Sequence, residues 1–202
     1  MKAFSHFALA VSFLFVTGSV LASPQFKIPS GQGGEIRQPS YGFAVRIPQS
    51  ASWMEHPLLL RQTDFQHPRG VGFRISTADG EQVDVTAQRN VDHWTTPDAA
   101  YNERADLLQS NHVTDLALAG TEDVILGTLP ARLYRYSYTT LSKTHLTVTL
   151  VVALRPASDA FQLPLIYTVS NESSTDSKQT GSTLFETVRS SFTLIEPKNT
   201  PN

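Results

Sequence analysis

Four residues that lie close together in the chain carry the groups most suited to chemistry: Asp92, His93, Asp98 and Glu103. Carboxylate oxygens and an imidazole are a donor set for a divalent metal, and a metal held there could assist hydrolysis. The plainer reading gives Asp98 to the positive end of a helix dipole and leaves His93 on a loop. A second set is Tyr134, Tyr136 and Tyr138. Alternate positions point to one face of a strand, so the three rings form a row. Such a row can serve a peptide, glycan or lipid as an aromatic platform, or fill a sheet face under a helix with the hydroxyls at its rim. The abundance of tyrosine in sheets favours packing.

Nothing else in the chain has the spacing of a catalytic motif. There is no Gly-x-Ser-x-Gly elbow, no helix with two histidines flanking a glutamate, no dinucleotide fingerprint, no calcium loop and no phosphate loop. The absence of cysteine removes disulfides, thiolate zinc sites and a cysteine nucleophile. With 16 basic against 18 acidic residues, the chain has no electrostatic footprint for nucleic acid. The expected protein is therefore not an enzyme, and it is assigned no cofactor, metal or catalytic residue. Asp92, His93, Tyr134, Tyr136 and Tyr138 are retained as a candidate ligand or partner surface.

The elements that position these residues can be read along the 202 residues. Residues 1–22 form an export signal, with Lys2, an apolar run over 7–16 and small residues before a cleavage point after Ala22. The run is shorter than the roughly 20 residues that span a bilayer, and no second apolar run of that length follows. A periplasmic or secreted protein is expected. Residues 23–40, rich in proline and glycine, read as a flexible linker.

The domain is expected over residues 41–196, with a disordered tail over 197–202. Phe43, Val45 and Ile47 alternate in a strand that Pro48 should stop, with a short second strand near Leu58. Val71, Phe73 and Ile75 face Val83 and Val85 across an Asp79-Gly80 turn, which makes a hairpin. Thr96 as cap, Pro97 at the first position and Asp98 in the first turn predict a helix over 97–109. Short strands near Leu116 and Asp123 should precede the tyrosine strand. Two alternating runs follow, through Leu146 to Leu154 and Phe161 to Val169. Leu184, Phe185 and Val188 fit a closing helix, and 191–195 a last strand. The order predicts an α+β antiparallel sheet flanked by helices, both covering the face with Leu146, Val148, Leu150 and Val152.

Three segments occur in the order found in the PsbP-like superfamily. They are Tyr41-Gly42-Phe43-Ala44-Val45-Arg46-Ile47-Pro48, then Ile125-Leu126-Gly127-Thr128-Leu129-Pro130-Ala131 before the tyrosine strand, then Leu184 through Phe192 as a final helix entering a Ser-Phe strand. The chain resembles that superfamily, which includes the extrinsic PsbP of photosystem II, the Ran-binding Mog proteins and DcrB-like envelope proteins. The resemblance implies an antiparallel sheet flanked by helices and a non-catalytic role supporting an envelope protein partner. It transfers no binding site, and the lipid-modified cysteine of the DcrB-like lipoproteins is missing. The alternatives are a small-ligand binder with a pocket between sheet and helix near Tyr134 and Tyr136, and a metal-assisted hydrolase using His93.

Overall fold

The computed structural model describes residues 29–58, 70–111, 113–174 and 182–196. The expected export signal 1–22 and the tail 197–202 lie outside these residues, as does 23–28 of the expected linker. The elements run β1 (Ser30–Gln38), a 3-10 turn (Pro39–Tyr41), β2 (Phe43–Leu58), β3 (Gly70–Thr77), β4 (Gln82–Arg89) and α1 (Pro97–Ser110). They continue β5 (Thr114–Leu126), β6 (Leu129–Thr139), β7 (His145–Arg155), β8 (Leu165–Ser174), α2 (Thr183–Ser191) and β9 (Thr193–Leu194). Among the described residues these strands form one antiparallel sheet, ordered β1-β2-β3-β4-β8-β7-β6-β5, with β9 paired to the start of β2. No helix among them is long and apolar enough to cross a membrane.

Two meanders make the sheet, β1 to β4 and β5 to β8, joined where β4 pairs with β8. This join decides where the helices lie. Helix α1 leads from β4 at the centre to β5 at the edge and packs over β5, β6 and β7. Helix α2 returns from β8 towards β2 and packs on β2, β4 and β8. The two helices cover opposite faces, because Val148, Leu150 and Val152 share a core with Tyr101 of α1, while Val151 and Ala153 share one with Leu184, Phe185 and Val188 of α2. The expectation that both helices cover one face is thus corrected. The residues of β7 from Val148 to Ala153 are buried on both faces, so the alternation there carried no information about which side is wet.

The larger core is aromatic. Phe43 stacks on Phe192 with centroids 5.4 Å apart and meets Phe73 and Tyr167 edge-on at 6.3 and 6.0 Å. Offset and edge contacts of this kind add to the free energy of area burial. Each fully buried Phe, Leu or Val here contributes about 1.5–3 kcal/mol.

Three further expectations are corrected. Residues 30–38 of the expected linker are strand β1, paired with β2. Its register shifts between Gln32 and Gly34, where Gly33 and Gly34 take φ of 54° and 87°, so the glycines make a bulge rather than a spacer. Pro48 does not end β2. Pairing with β1 lapses between Ile47 and Ser52 and pairing with β3 begins only at Ala51, so the residue without an N–H stands where neither neighbour pairs with β2. The strands expected near Leu116 and Asp123 are one strand, β5, interrupted by register shifts at 114–117 and 118–120.

Candidate functional site

The tyrosine row is built by β6 and closed by α1. Thr96 caps α1 by accepting from the Ala99 N–H at 3.2 Å, and Pro97 and Asp98 occupy its first turn as expected. This fixes Tyr101 over the sheet, where its ring stacks on Tyr134 with centroids 4.3 Å apart and meets Tyr136 edge-on at 5.6 Å. Tyr134, Tyr136 and Tyr138 are only 1%, 1% and 7% exposed. They do share a face, yet it is not a platform open to solvent. Beside Tyr134 and Tyr136 the space between sheet and helix, where the small-ligand reading placed its pocket, is taken by the Tyr101 ring; a cleft of about 360 Å³ remains further along α1, lined by Trp94, Ala100, Arg104, Leu150 and Ile166 among others.

Each hydroxyl has a charged partner. Tyr134 donates to Asp98 Oδ1 at 2.7 Å, and Arg132 donates to the other oxygen of that carboxylate at 3.2 Å. Tyr138 donates to Glu172 at 2.6 Å, while the Tyr136 oxygen accepts from Arg104 Nε at 2.9 Å. Burial pushes the Tyr134 hydroxyl well above its ordinary value, and the Asp98 hydrogen bond and charge push it further. Burial followed by Glu172 does the same to Tyr138. Burial also raises Tyr136, against the opposing effect of Arg104. These phenols remain neutral hydrogen-bonding groups at any physiological pH.

Asp92 and His93 sit in the exposed turn between β4 and α1, where His93 adopts φ of 58°. The turn is held from inside by buried Asn90, which donates to the Trp94 carbonyl at 2.7 Å and accepts from its N–H at 2.9 Å. Asp98 faces Tyr134 and Arg132. Among the described residues no three His, Asp or Glu side chains converge in a way that could hold a metal. The donor set read from the sequence therefore does not assemble around His93, and the hydrolase reading loses its geometry.

The open feature lies elsewhere, at one end of the sheet on the α2 side. Arg89, the last residue of β4, and Arg155, the last of β7, both pair with Leu165, the first of β8. Directly paired residues project to the same face, so the two arginines flank Leu165 in one row, about 10 Å apart at their Cα atoms. The 3-10 turn and the end of β1 close in from the side. A cleft of about 750 Å³ results, lined by Arg37, Ser40, Arg89, Phe161, Leu163, Ile195 and Glu196 among others. The sheet-facing run expected from Phe161 is corrected here: β8 starts only at Leu165, and Phe161 forms the wall of the cleft through a bridge to Ser158.

Arg155 is buried behind two residues of that lining, Phe161 and Glu196. Its guanidinium lies 4.5 Å from the Phe161 ring centroid, donates to the Gly42 carbonyl at 3.2 Å, and pairs with the Glu196 carboxylate. Gly42 sits at φ of 64°, and a Cβ there would stand 2.5 Å from Arg155 and 2.6 Å from Phe161, so the approach requires glycine. The two other arginines are less engaged. Arg37 touches Glu35 at 3.9 Å between exposed side chains, and Arg89 has no carboxylate within salt-bridge distance among the described residues. Sequence reasoning missed this set because its members lie at or next to the ends of three strands separated by tens of residues. The only available signal was an arginine closing each of two strands, at positions 89 and 155.

No protein-family model matches the chain, and no curated protein matches it. Among solved structures, the solution structure of cyanobacterial PsbP (CyanoP) from Synechocystis sp. PCC 6803 is similar with a TM-score of 0.52 and 14% identity, over 81% of this chain and 92% of that one. LpqN, involved in cell envelope biogenesis of Mycobacterium tuberculosis, matches at a TM-score of 0.43 and 10% identity, over 83% of this chain and 91% of its own. The chain has the PsbP-like fold.

Proposed function

We propose that this chain is an exported, non-catalytic accessory domain that binds and supports a protein of the cell envelope. The observation that carries the reading is a contrast within the molecule. Asp98, Tyr134, Tyr136 and Tyr138 under α1 are held in structural pairs, whereas the sheet-end cleft is open, with Phe161, Leu163 and Ile195 in its walls and Arg37 and Arg89 in its lining. The cleft lining offers one serine, Ser40, and one carboxylate, Glu196, which is paired with Arg155, so the lining presents no free base to activate a nucleophile or a water. Apolar walls with a few oriented polar groups are what binding sites present. The PsbP-like fold and the signal read over residues 1–22 support the same reading and an address outside the cytoplasm.

A photo-crosslinking amino acid at Leu163, an exposed residue of the cleft wall, tests the proposal in cells. Leu141, exposed in the turn between β6 and β7, is the control position. The expected result is one dominant envelope protein, identified by mass spectrometry, captured from position 163 and not from 141. Equal capture from both positions, or none from 163, overturns it. Cell fractionation with intact-mass measurement checks the address, since cleavage after Ala22 predicts a mature protein beginning at Ser23.

A further inference from the structure

We infer that the partner presents an acidic peptide segment to the sheet-end cleft, where its carboxylates pair with Arg89 and Arg37 and displace Glu196 from Arg155. The inference rests on the protein-binding reading above and adds the chemistry of the bound segment.

Charge is the first argument. The cleft is lined by two guanidiniums, Arg37 and Arg89, and the one carboxylate in its lining, Glu196, is already committed to the buried Arg155 behind it. Glu35 reaches Arg37 only at 3.9 Å, outside hydrogen-bond distance. An arginine fork presents paired N–H donors that match a carboxylate in two bonds, so a rim with unfilled forks selects planar anions.

Access is the second argument. The Arg155 side chain is 8% exposed and that of Glu196 is 70% exposed, so the carboxylate on the buried guanidinium arrives from the solvent side. A carboxylate from another chain can approach by the same route. Glu196 then marks the position that a ligand's carboxylate would take. The exchange leaves the buried cation paired throughout, and so avoids the cost of several kcal/mol that leaving it alone would impose.

Shape is the third. The rest of the lining mixes apolar Phe161, Leu163 and Ile195 with Ser40 and Gln162 beside the charges. A segment that alternates acidic and apolar side chains fits such a wall, while a bare inorganic anion leaves it wet. Membrane headgroups are disfavoured because the cleft is a concavity at the sheet end and its apolar residues do not form a protruding face.

The test measures fluorescence anisotropy of a fluorescein-labelled synthetic peptide repeating Asp-Leu-Gly, with an Asn-Leu-Gly repeat as the uncharged control. The acidic peptide is expected to bind, with affinity falling as salt rises, and the control is not. Replacing both rim arginines, Arg37→Gln with Arg89→Gln, should weaken binding about tenfold, since each exposed charge pair is worth less than a buried one. Both side chains are exposed, so this variant keeps its fold, which circular dichroism verifies. Glu196→Gln should tighten binding several-fold, because it removes the competing charge but keeps a hydrogen-bond acceptor.

Equal binding of the two peptides, an unchanged affinity in the double arginine variant, or binding of phosphatidylglycerol vesicles in place of the peptide overturns the inference. The crosslink from Leu163 separates this failure from failure of the underlying reading. If the rim arginines are removed and the same envelope protein is still captured, the partner reading stands and the acidic segment is refuted. If Leu163 captures nothing even in the unaltered protein, both fall.

Discussion

Asp98 joins helix α1 to the sheet, and its removal has a cost that can be worked out from the geometry. Its carboxylate accepts the Tyr134 hydroxyl at 2.7 Å and the Arg132 guanidinium at 3.2 Å, and it stands in the first turn of α1. Asp98→Ala leaves the Tyr134 hydroxyl without its partner under a stacked ring, at about 1–3 kcal/mol for an orphaned buried donor. The half-exposed Arg132 pair adds at most about 1 kcal/mol, and loss of an acid at the helix N-terminus about 0.3–1 kcal/mol. The expected destabilisation is about 2–4 kcal/mol. Tyr134→Phe removes the donor itself and leaves the half-exposed carboxylate to Arg132 and water, so it should cost only about 1 kcal/mol. In the double variant no hydroxyl is left to orphan. The two costs should therefore fail to add by about 1–2 kcal/mol, measured by urea unfolding followed by far-ultraviolet circular dichroism. A coupling within about 0.5 kcal/mol of zero, the level seen for independent sites, refutes the assignment of Asp98 as the partner of Tyr134.

Three other expectations concern stability. Gly42→Ala should cost about 2–4 kcal/mol, since alanine at φ of 64° is strained and its Cβ would stand 2.5 Å from Arg155; an unchanged urea midpoint would contradict the close approach. Phe43→Ala removes a fully buried ring in contact with three other aromatic rings and should cost about 3–5 kcal/mol, read from the shift in thermal midpoint. Stability should also fall in alkali: Tyr134 and Tyr138 keep their protons in the folded state above the pH near 10 at which unfolded tyrosines lose them, so unfolding releases protons there. Each such tyrosine contributes a loss of about 1.4 kcal/mol per pH unit above pH 10 and nothing below it, and urea midpoints across that range should flatten in Tyr138→Phe.

Much of the fold was legible wherever side-chain pattern and local punctuation agreed. Thr96, Pro97 and Asp98 announced α1, the Asp79-Gly80 turn announced the β3–β4 hairpin, and Leu184, Phe185 and Val188 announced α2. Strand β1 was illegible because Gly31, Gly33 and Gly34 leave no alternation to read, and its partner β2 defines it through the backbone. Pro48 misled because a proline inside a strand is normally excluded, and only the gap in pairing between Ile47 and Ala51 makes room for it. The tyrosine row was legible as a set, but its burial was not. That depended on which side of the sheet α1 crosses, and β7 is buried on both sides. The arginine cleft was the least legible of all, since strand order alone brings Arg89 and Arg155 to the same level beside Leu165.

The position of Arg155 links the folding of the chain to the use of the cleft. A guanidinium so deeply buried is costly unless every side of it is met, and here the partners come from distant parts of the chain. The Gly42 carbonyl belongs to the start of β2, Phe161 to the β7–β8 connection, and Glu196 to the segment after β9. Pairing of β9 with β2 carries that last segment to the site, and the Ile195 N–H donates back to the Gly42 carbonyl at 2.9 Å. The Ile195 carbonyl, 3.5 Å away, is a further partner, and Gly42 and Phe161 are held by the fold, Gly42 at the end of the 3-10 turn and Phe161 by its bridge to Ser158. Glu196 alone is exposed and lies beyond the last strand. Glu196 is therefore the partner that a ligand carboxylate can replace while the backbone carbonyls and the Phe161 ring stay in place. On the proposal above, an acid that replaces Glu196 supplies the same counter-charge that helps the chain bury an arginine.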